Sequence, residues 1–227
     1  MEDDLVYDLG AADIAETIAR AKNMLAKVFR LIPHGSRVLD VGCHTGKFGE
    51  FLRQNGCLVS GVEINSSAAS VAAQLLDEVA VGDVEDSNTW QCLGGPFDVI
   101  LFLDVLEHCR KPEAVLINAR SKLSARGFII TSTPNIAHWT IRKKLLRGCF
   151  DYQDTGILDK THLRFFTVSS CQKLLINAGY DIERVDYVLT MPKVLKQRVI
   201  PTAVARKFPG LFAYQMVVKA KPTPVVP

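Results

Sequence analysis

No apolar run in this chain approaches the roughly 18 residues that cross a bilayer as a helix. No leader is legible either. The opening MEDDLVYDLG is acidic and lacks the basic-then-apolar order of a signal peptide. Cysteine never stands as a CxxC pair, and the spacings of Cys43, Cys57, Cys92, Cys109, Cys149 and Cys171 match no zinc or redox motif. No metal site is therefore expected, and the thiols are expected to be reduced and mostly buried as small hydrophobes. Internal repeats and low-complexity tracts are missing as well. These absences argue against a membrane-spanning chain and a disulfide scaffold, and they lead to the expectation of a soluble, cytoplasmic protein.

What is present is ordinary globular material. The chain has 227 residues, 48% hydrophobic and 22% charged, enough for one domain with a well-filled core. The net charge of +3 hides a split. Residues 1–137 carry 12 Lys/Arg against 18 Asp/Glu, and residues 138–227 carry 15 against 6. Such a split fits an acidic partner for the later part, and equally a well-solvated surface.

Hydrophobic periodicity gives the order of elements. Residues 12–31 recur apolar at helical spacing, stopped by Pro33 and Gly35. RVLDVG (37–42) reads as a buried strand, 47–56 as an amphipathic helix ended by Gly56, and 57–65 as a second strand. Residues 66–76 open with serines that can cap a helix, 78–83 form a third strand, and FDVILFLD (97–104) a fourth. A helix at 112–123 and a strand at 127–134 follow. Regular alternation of this kind means a parallel sheet with helices on both faces. The rhythm fails over 135–166, which is rich in charge and aromatics and shows no clear strand. It resumes with a helix at 169–179, a strand at 181–189 and a last strand at 212–220, with a basic, proline-punctuated loop over roughly 191–210. The expected organisation is one domain over 1–227: helical cap 1–33, binding core 34–133, insertion 134–166, returning core 167–220 and tail 221–227.

The turn Gly42-Cys43-His44-Thr45-Gly46 lies at the carboxyl end of the first strand, where open α/β sheets bind ligands. Glycine there permits positive φ and close approach to the backbone. A dinucleotide fingerprint would have a further glycine in the middle of the turn, and Asp40 just before it would repel a pyrophosphate. The acid would instead welcome a cationic group such as an ammonium. Glu63 closes the second strand, where a carboxylate can accept both hydroxyls of a ribose. Asp83, in GDVED, closes the third, placed to accept from the amine of adenine. An amine, a ribose and a purine without phosphate describe S-adenosylmethionine.

On VLDVGCHTG, GVEIN, GDVED and FDVILFLDVLEH, in that order and spacing, the sequence resembles the class I methyltransferases over about residues 15–220. The resemblance implies a Rossmann-like seven-stranded sheet, mostly parallel with one antiparallel strand, and S-adenosylmethionine as cofactor. By position it implies that Asp40 orients the ammonium or the turn, and that Gly42 and Gly46 admit the methionine portion. Glu63 would hold the ribose with Ile64 against adenine, Asp83 and the Val84 backbone would read adenine, and Leu103 would offer a carbonyl near the sulfonium. The family often has glycine where this chain has His44. That side chain either points away from the cofactor or touches its carboxylate.

A methyl on sulfonium is already activated, so the protein must chiefly hold the acceptor in line, with a base if the acceptor is a hydroxyl. Histidine is the natural base. His108 ends DVLEH, His138 lies in STPNIAHW, and His162 lies in ILDKTHLRFFT beside Asp159, Arg164 and two phenylalanines. A packing or capping role is open for each. Residues from PNIAHW to LRFFT resemble the substrate cap of bacterial O-methyltransferases of ubiquinone type and of methyltransferases in polysaccharide and secondary-metabolite pathways. That likeness implies that 134–166 folds over the crevice with His162 facing the acceptor, and Tyr7 and the first helix are expected to close the other side. His108 is expected at the mouth of the crevice as a second catalytic candidate, and Asn135, His138 and Arg164 are the candidate substrate residues. The basic run RKKLLR (142–147) and the loop 194–210 suit an acidic or lipid-linked acceptor, an anionic membrane surface, or mere solvation. Nucleic-acid methylation is disfavoured by LDVLEH standing where base-methylating enzymes carry an Asn/Asp-Pro-Pro-aromatic segment. A non-catalytic module of the same fold is the remaining alternative.

Overall fold

The structure, a computed structural model, describes residues 24–194, 197–198 and 201–224. Tyr7, most of the first expected helix and the end of the tail lie outside the described residues.

Seven strands form one sheet in the order β3-β2-β1-β4-β5-β9-β6. They are β1 (Arg37–Val41), β2 (Leu58–Glu63), β3 (Glu78–Val81), β4 (Phe97–Leu103), β5 (Leu123–Pro134), β6 (Tyr180–Leu189) and β9 (Ala213–Pro222). Neighbours from β3 through β5 pair in parallel, and β9 inserts antiparallel between β5 and β6. The sheet is therefore mostly parallel with one strand reversed, as the resemblance implied. Alternate residues feed two cores on opposite faces. On β4, Ile100 and Phe102 join one cluster, while Val99, Leu101 and Leu103 join the other. Burial on both faces is why the strand reads as an unbroken apolar run.

The helices are α1 (Met24–Phe29), α2 (Lys47–Gln54), α3 (Ser66–Ala72), α4 (Ser87–Cys92), α5 (Pro112–Arg120), α6 (Trp139–Leu145) and α7 (Val168–Asn177), then the short α8 (Thr202–Lys207) and α9 (Pro209–Phe212). Several differ from expectation for local reasons. α3 stops four residues early, and Leu76 beyond it packs into the core. α5 ends at Arg120, and β5 starts at Leu123, paired with Phe97, rather than at 127. α4 carries too little periodicity to be read from sequence. It is started by the Asp86 side chain, which accepts from the Asn88 N–H, and anchored by buried Trp90. α6 is likewise set by a cap, since the His138 side chain accepts from the Thr140 N–H. Between β6 and α8, two-residue strands β7 (Lys193–Val194) and β8 (Gln197–Arg198) pair with each other. All six cysteines are unpaired, and four are buried.

Candidate functional site

The carboxyl ends of β1, β2 and β3 border a cleft of about 600 Å³, lined by Glu63, Ile64, Asp83 and Val84 on one side and by Val105, His108 and Leu163 on the other. A narrow recess, lined by Asp40, His44, Lys47 and Leu103, opens beside it, and Gly42 lines both.

Each part of the acid wall is held by backbone amides nearby. Glu63 is 8% exposed, and its two oxygens accept from the His44 N–H and the Asn65 N–H, each at 2.9 Å. Two charge-assisted bonds fix the carboxylate plane and leave lone pairs toward the cleft. Asp83 is exposed and accepts from the Glu85 N–H at 2.8 Å through one oxygen. Ile64 stands 66% exposed between these two acids in sequence and lines the same cleft, an apolar shelf with no partner from the core. The Val84 carbonyl accepts from the Trp90 indole at 2.8 Å, which fixes the strand-exit backbone. Asp40 is buried at the floor, and desolvation, followed by the charge of Glu63, pushes its carboxyl up to about 7.

The two glycines of the turn do different things. Gly42 has φ 70°, and a Cβ there would lie 2.8 Å from Val105 Cγ2, at the junction of recess and cleft. Gly46 has φ 77°, but its missing Cβ makes room for α3, since it would lie 3.0 Å from the Ala72 Cα. Close packing of α2 against α3 is thus the structural demand at Gly46. His44 takes φ 49°, a left-handed conformation that glycine adopts without strain, and its side chain is exposed.

The opposite wall comes from distant parts of the chain. A short 3₁₀ turn (Leu106–His108) follows β4. The Glu107 carbonyl accepts from the Leu163 and Arg164 N–H groups at 2.8 and 2.9 Å, clasping the 135–166 segment to the core. This clasp brings the His108 and His162 rings to 4.8 Å between centroids, edge to face. His162 Nδ1 donates to the Ile157 carbonyl at 3.3 Å, since a carbonyl can only accept, and Nε2 keeps its lone pair. Burial, then the neighbouring His108, lowers the His162 pKa, which favours the neutral ring. Asp159 accepts from the Thr161 N–H and hydroxyl rather than from an imidazole.

Two acids here escaped sequence reading. Asp104 has φ 54°; its carboxylate accepts from Ser132 Oγ–H at 2.8 Å and from Gln215 Nε2 at 2.6 and 2.7 Å. Glu107 is 1% exposed, and neither carboxylate oxygen has a hydrogen-bond partner among the described residues. Burial, then Asp104, holds its pKa well above the usual carboxylate range. Their i, i+3 spacing in DVLEH is visible in the sequence, but Ser132 and Gln215 as partners are not. Sequence spacing also suggested no metal site. The fold nonetheless brings one donor atom each from Glu107, His108 and His162 within 4.8 Å of one another, a set that could accept a divalent cation.

The remaining expected residues sit elsewhere. Asn135 is fully buried, donating to the Ala213 carbonyl at 2.8 Å and accepting from the Ala137 N–H at 3.1 Å. His138 is 1% exposed between Thr140 Oγ1 at 2.7 Å and Thr190 Oγ1 at 2.8 Å, and burial lowers its pKa to about 4. Both tie the insertion to β6 and β9. Arg164 is exposed and donates to the Arg110 carbonyl at 2.6 Å, bracing the cleft's far rim.

A family model described as a methyltransferase domain matches residues 12–185. The chain belongs to this family. The methyltransferase domain is 28% identical over 179 residues to a ubiquinone biosynthesis O-methyltransferase of Xanthomonas axonopodis, covering 72% of this chain and 70% of that one. It is 30% identical over 110 residues to the enzyme of the same description from Haemophilus ducreyi, where the match covers 44% of this chain and only 46% of the relative. Among solved structures, a SAM-dependent methyltransferase from Archaeoglobus fulgidus superposes with a TM-score of 0.63 at 20% identity, covering 87% of this chain and 92% of that one. Magnesium protoporphyrin IX methyltransferase from Synechocystis, with SAH bound, does so with a TM-score of 0.57 at 19% identity, covering 96% and 85%. The cofactor that goes with this family and fold is S-adenosylmethionine. The residues present suit it. A buried acid pushed toward neutrality would gain from a nearby ammonium, a carboxylate fixed by two amides lines the cleft and can accept hydroxyls, and an exposed isoleucine offers a flat apolar seat.

Proposed function

We propose that this protein methylates a hydroxyl oxygen of a small molecule, of phenolic, quinol or sugar type, with segment 135–166 as the cap over the acceptor. In this reading Asp40 and Gly42 receive the methionine portion of the cofactor, with the His44 amide and Leu103 bordering the same recess. Glu63 accepts the ribose hydroxyls, and Ile64, Asp83 and the Val84 backbone flank adenine. Gly46 contributes by letting α2 pack close to α3. When bound, S-adenosylmethionine supplies a methyl carbon activated by its sulfonium. The chain's own task is to orient the acceptor oxygen and take its proton.

The observation that carries the reading is the edge-to-face packing of the His162 ring on His108, which lines the acid-walled cleft, with His162 Nδ1 turned to the Ile157 carbonyl so that Nε2 is the nitrogen left to accept. Nε2 of His162 would accept the proton of the acceptor hydroxyl, while the cofactor would supply the methyl and leave as S-adenosylhomocysteine, its sulfur–methyl bond breaking with the electron pair going to sulfur. His108, exposed at the mouth, holds or relays that proton. Positioned bases of this kind contribute roughly 10²–10⁴-fold. Assignment to oxygen is further supported by the O-methyltransferase relatives at modest identity. Asn135 and His138 act in this reading only by fixing the cap, and Arg164 by fixing the rim.

The test is transfer of label from S-[methyl-³H]adenosylmethionine to a panel of catechols, hydroxybenzoates, sugars and amines. Labelled ether products from hydroxyl acceptors, lost in His162→Ala, support the proposal. Label appearing only on amines or carbon would refute it. Full turnover in the presence of EDTA would assign the His108–His162 pair to proton transfer rather than to holding a cation.

A further inference from the structure

The cap presents an unusual outer surface. Residues 138–150 contain no acid and hold Arg142, Lys143, Lys144 and Arg147. None of these four forms an ion pair with a described residue. α6 turns Ile141 inward, where it packs with Ile157 and Leu158. Leu145 and Leu146 remain 51% and 89% exposed, followed by Phe150 at 40% and Tyr152 at 57%. One exposed leucine is ordinary on a soluble protein. Two leucines and two aromatics within eight residues, set among cations that form no ion pair with a described residue, Arg142 alone of them donating to a backbone carbonyl, that of Ala137, form a basic-rimmed apolar patch of the kind that marks an interaction surface.

The patch is continuous with the site. The Phe150 and Tyr152 rings lie 5.8 Å apart, both reach Phe165 at 5.9 and 6.4 Å, and Phe165 reaches His162 at 6.1 Å. A second basic and apolar stretch adjoins it. Trp139, at the start of α6, packs in one small cluster with Ala205 of α8, and α8 leaves Val204, Arg206, Lys207 and the following Phe208 exposed. The acids of the region, Asp151 and Asp154, come after the apolar residues begin, and Asp154 is paired with Lys160 at 2.6 Å.

We propose that this face docks on an anionic phospholipid bilayer, with Leu145, Leu146, Phe150 and Tyr152 entering the headgroup layer and the four cations meeting lipid phosphates. Charge complementarity selects the occupant. Cations alone would serve any polyanion, whereas apolar side chains projecting between them fit a surface that is anionic outside and apolar just beneath. The inference goes beyond the methyl-transfer reading and stands on the surface alone, so it survives if the acceptor assignment fails.

The test is co-sedimentation of the full chain with vesicles of phosphatidylcholine, with and without phosphatidylglycerol. Partitioning should rise by about tenfold or more with phosphatidylglycerol and fall as salt is added. Leu145→Glu with Leu146→Glu should abolish that gain, as should Lys143→Glu with Lys144→Glu. Unchanged circular dichroism and S-adenosylhomocysteine affinity should show that both doubles fold. Equal partitioning to both vesicle types would overturn the proposal. So would binding that follows charge yet ignores the leucine double, because that is the behaviour of a general polyanion site.

Discussion

The two walls of the cleft are made in opposite ways. On the acid wall, each carboxylate is held by amides close in the chain: Glu63 by residues 19 and 2 positions away, Asp83 by one 2 positions away. On the histidine wall, Asp104 is held by Gln215 at a separation of 111, and His108 meets the Thr161 carbonyl 53 positions away at 3.2 Å. A wall built from strand tips and tight turns is specified by local sequence and is rigid before any ligand arrives. A wall built by docking an insertion depends on the whole fold and can differ among relatives while the first stays fixed. This division suits a protein whose cofactor is common to its family and whose acceptor is its own.

If the division holds, substitutions on one wall should move one measurement and spare the other. The largest effect is expected for His162→Ala, which should reduce kcat by about 100-fold or more while leaving the S-adenosylhomocysteine affinity within about twofold, as calorimetry would read. A parallel loss of cofactor affinity would break the separation of the walls. Glu63→Ala should do the reverse, weakening S-adenosylhomocysteine by roughly 30- to 100-fold through loss of charged hydrogen bonds, with the residual kcat at saturating cofactor little changed.

The next expectation concerns pH and isolates Asp40. Its carboxyl, pushed up to about 7, keeps a proton in the folded protein that an unfolded chain releases near its ordinary value of 3.8. The folded state therefore binds the extra proton between about 4 and 7, and stability falls as pH rises across that window, levelling above it. A ligand ammonium favours the ionised acid, so cofactor affinity should fall on acidification below about 7, by up to about tenfold per pH unit. Asp40→Asn should flatten both profiles. A wild-type affinity constant from pH 5 to 8 would mean the amine lies elsewhere.

The smallest effects distinguish the three left-handed residues of the turn. Gly46→Ala should lower the melting temperature by several degrees, through strain at φ 77° and crowding of α3, with a modest effect on affinity. Gly42→Ala, at the junction of recess and cleft, should weaken binding more than it lowers stability. His44→Gly should be stabilising by about 0.5–1 kcal/mol in backbone strain, partly offset by unfolded-state entropy, and should leave affinity nearly unchanged because the bond to Glu63 comes from the backbone.

The same contrast explains what could be read from the sequence. The β1–β5 alternation, the Gly42 turn and the acids Asp40, Glu63 and Asp83 were legible because strand period, turn chemistry and strand-tip position are local signals. The six-residue α4 was not, because it rests on one cap and one buried tryptophan. Asn135 and His138 were attractive as polar residues past β5. Polar side chains, however, satisfy buried backbone as readily as they face a ligand, and only the partners Ala213 and Thr190 show which. Glu107 was hidden for the converse reason. Nothing in DVLEH reveals that the glutamate points inward, with no hydrogen-bond partner among the described residues, while the histidine beside it faces out.

A crystal of the protein with S-adenosylhomocysteine tests the central claim most directly. Both ribose hydroxyls should lie within hydrogen-bond distance of the Glu63 carboxylate, the amine beside Asp40, adenine over Ile64, and the sulfur toward His162. A ligand seated with its ribose away from Glu63, or with its amine away from Asp40, would contradict it.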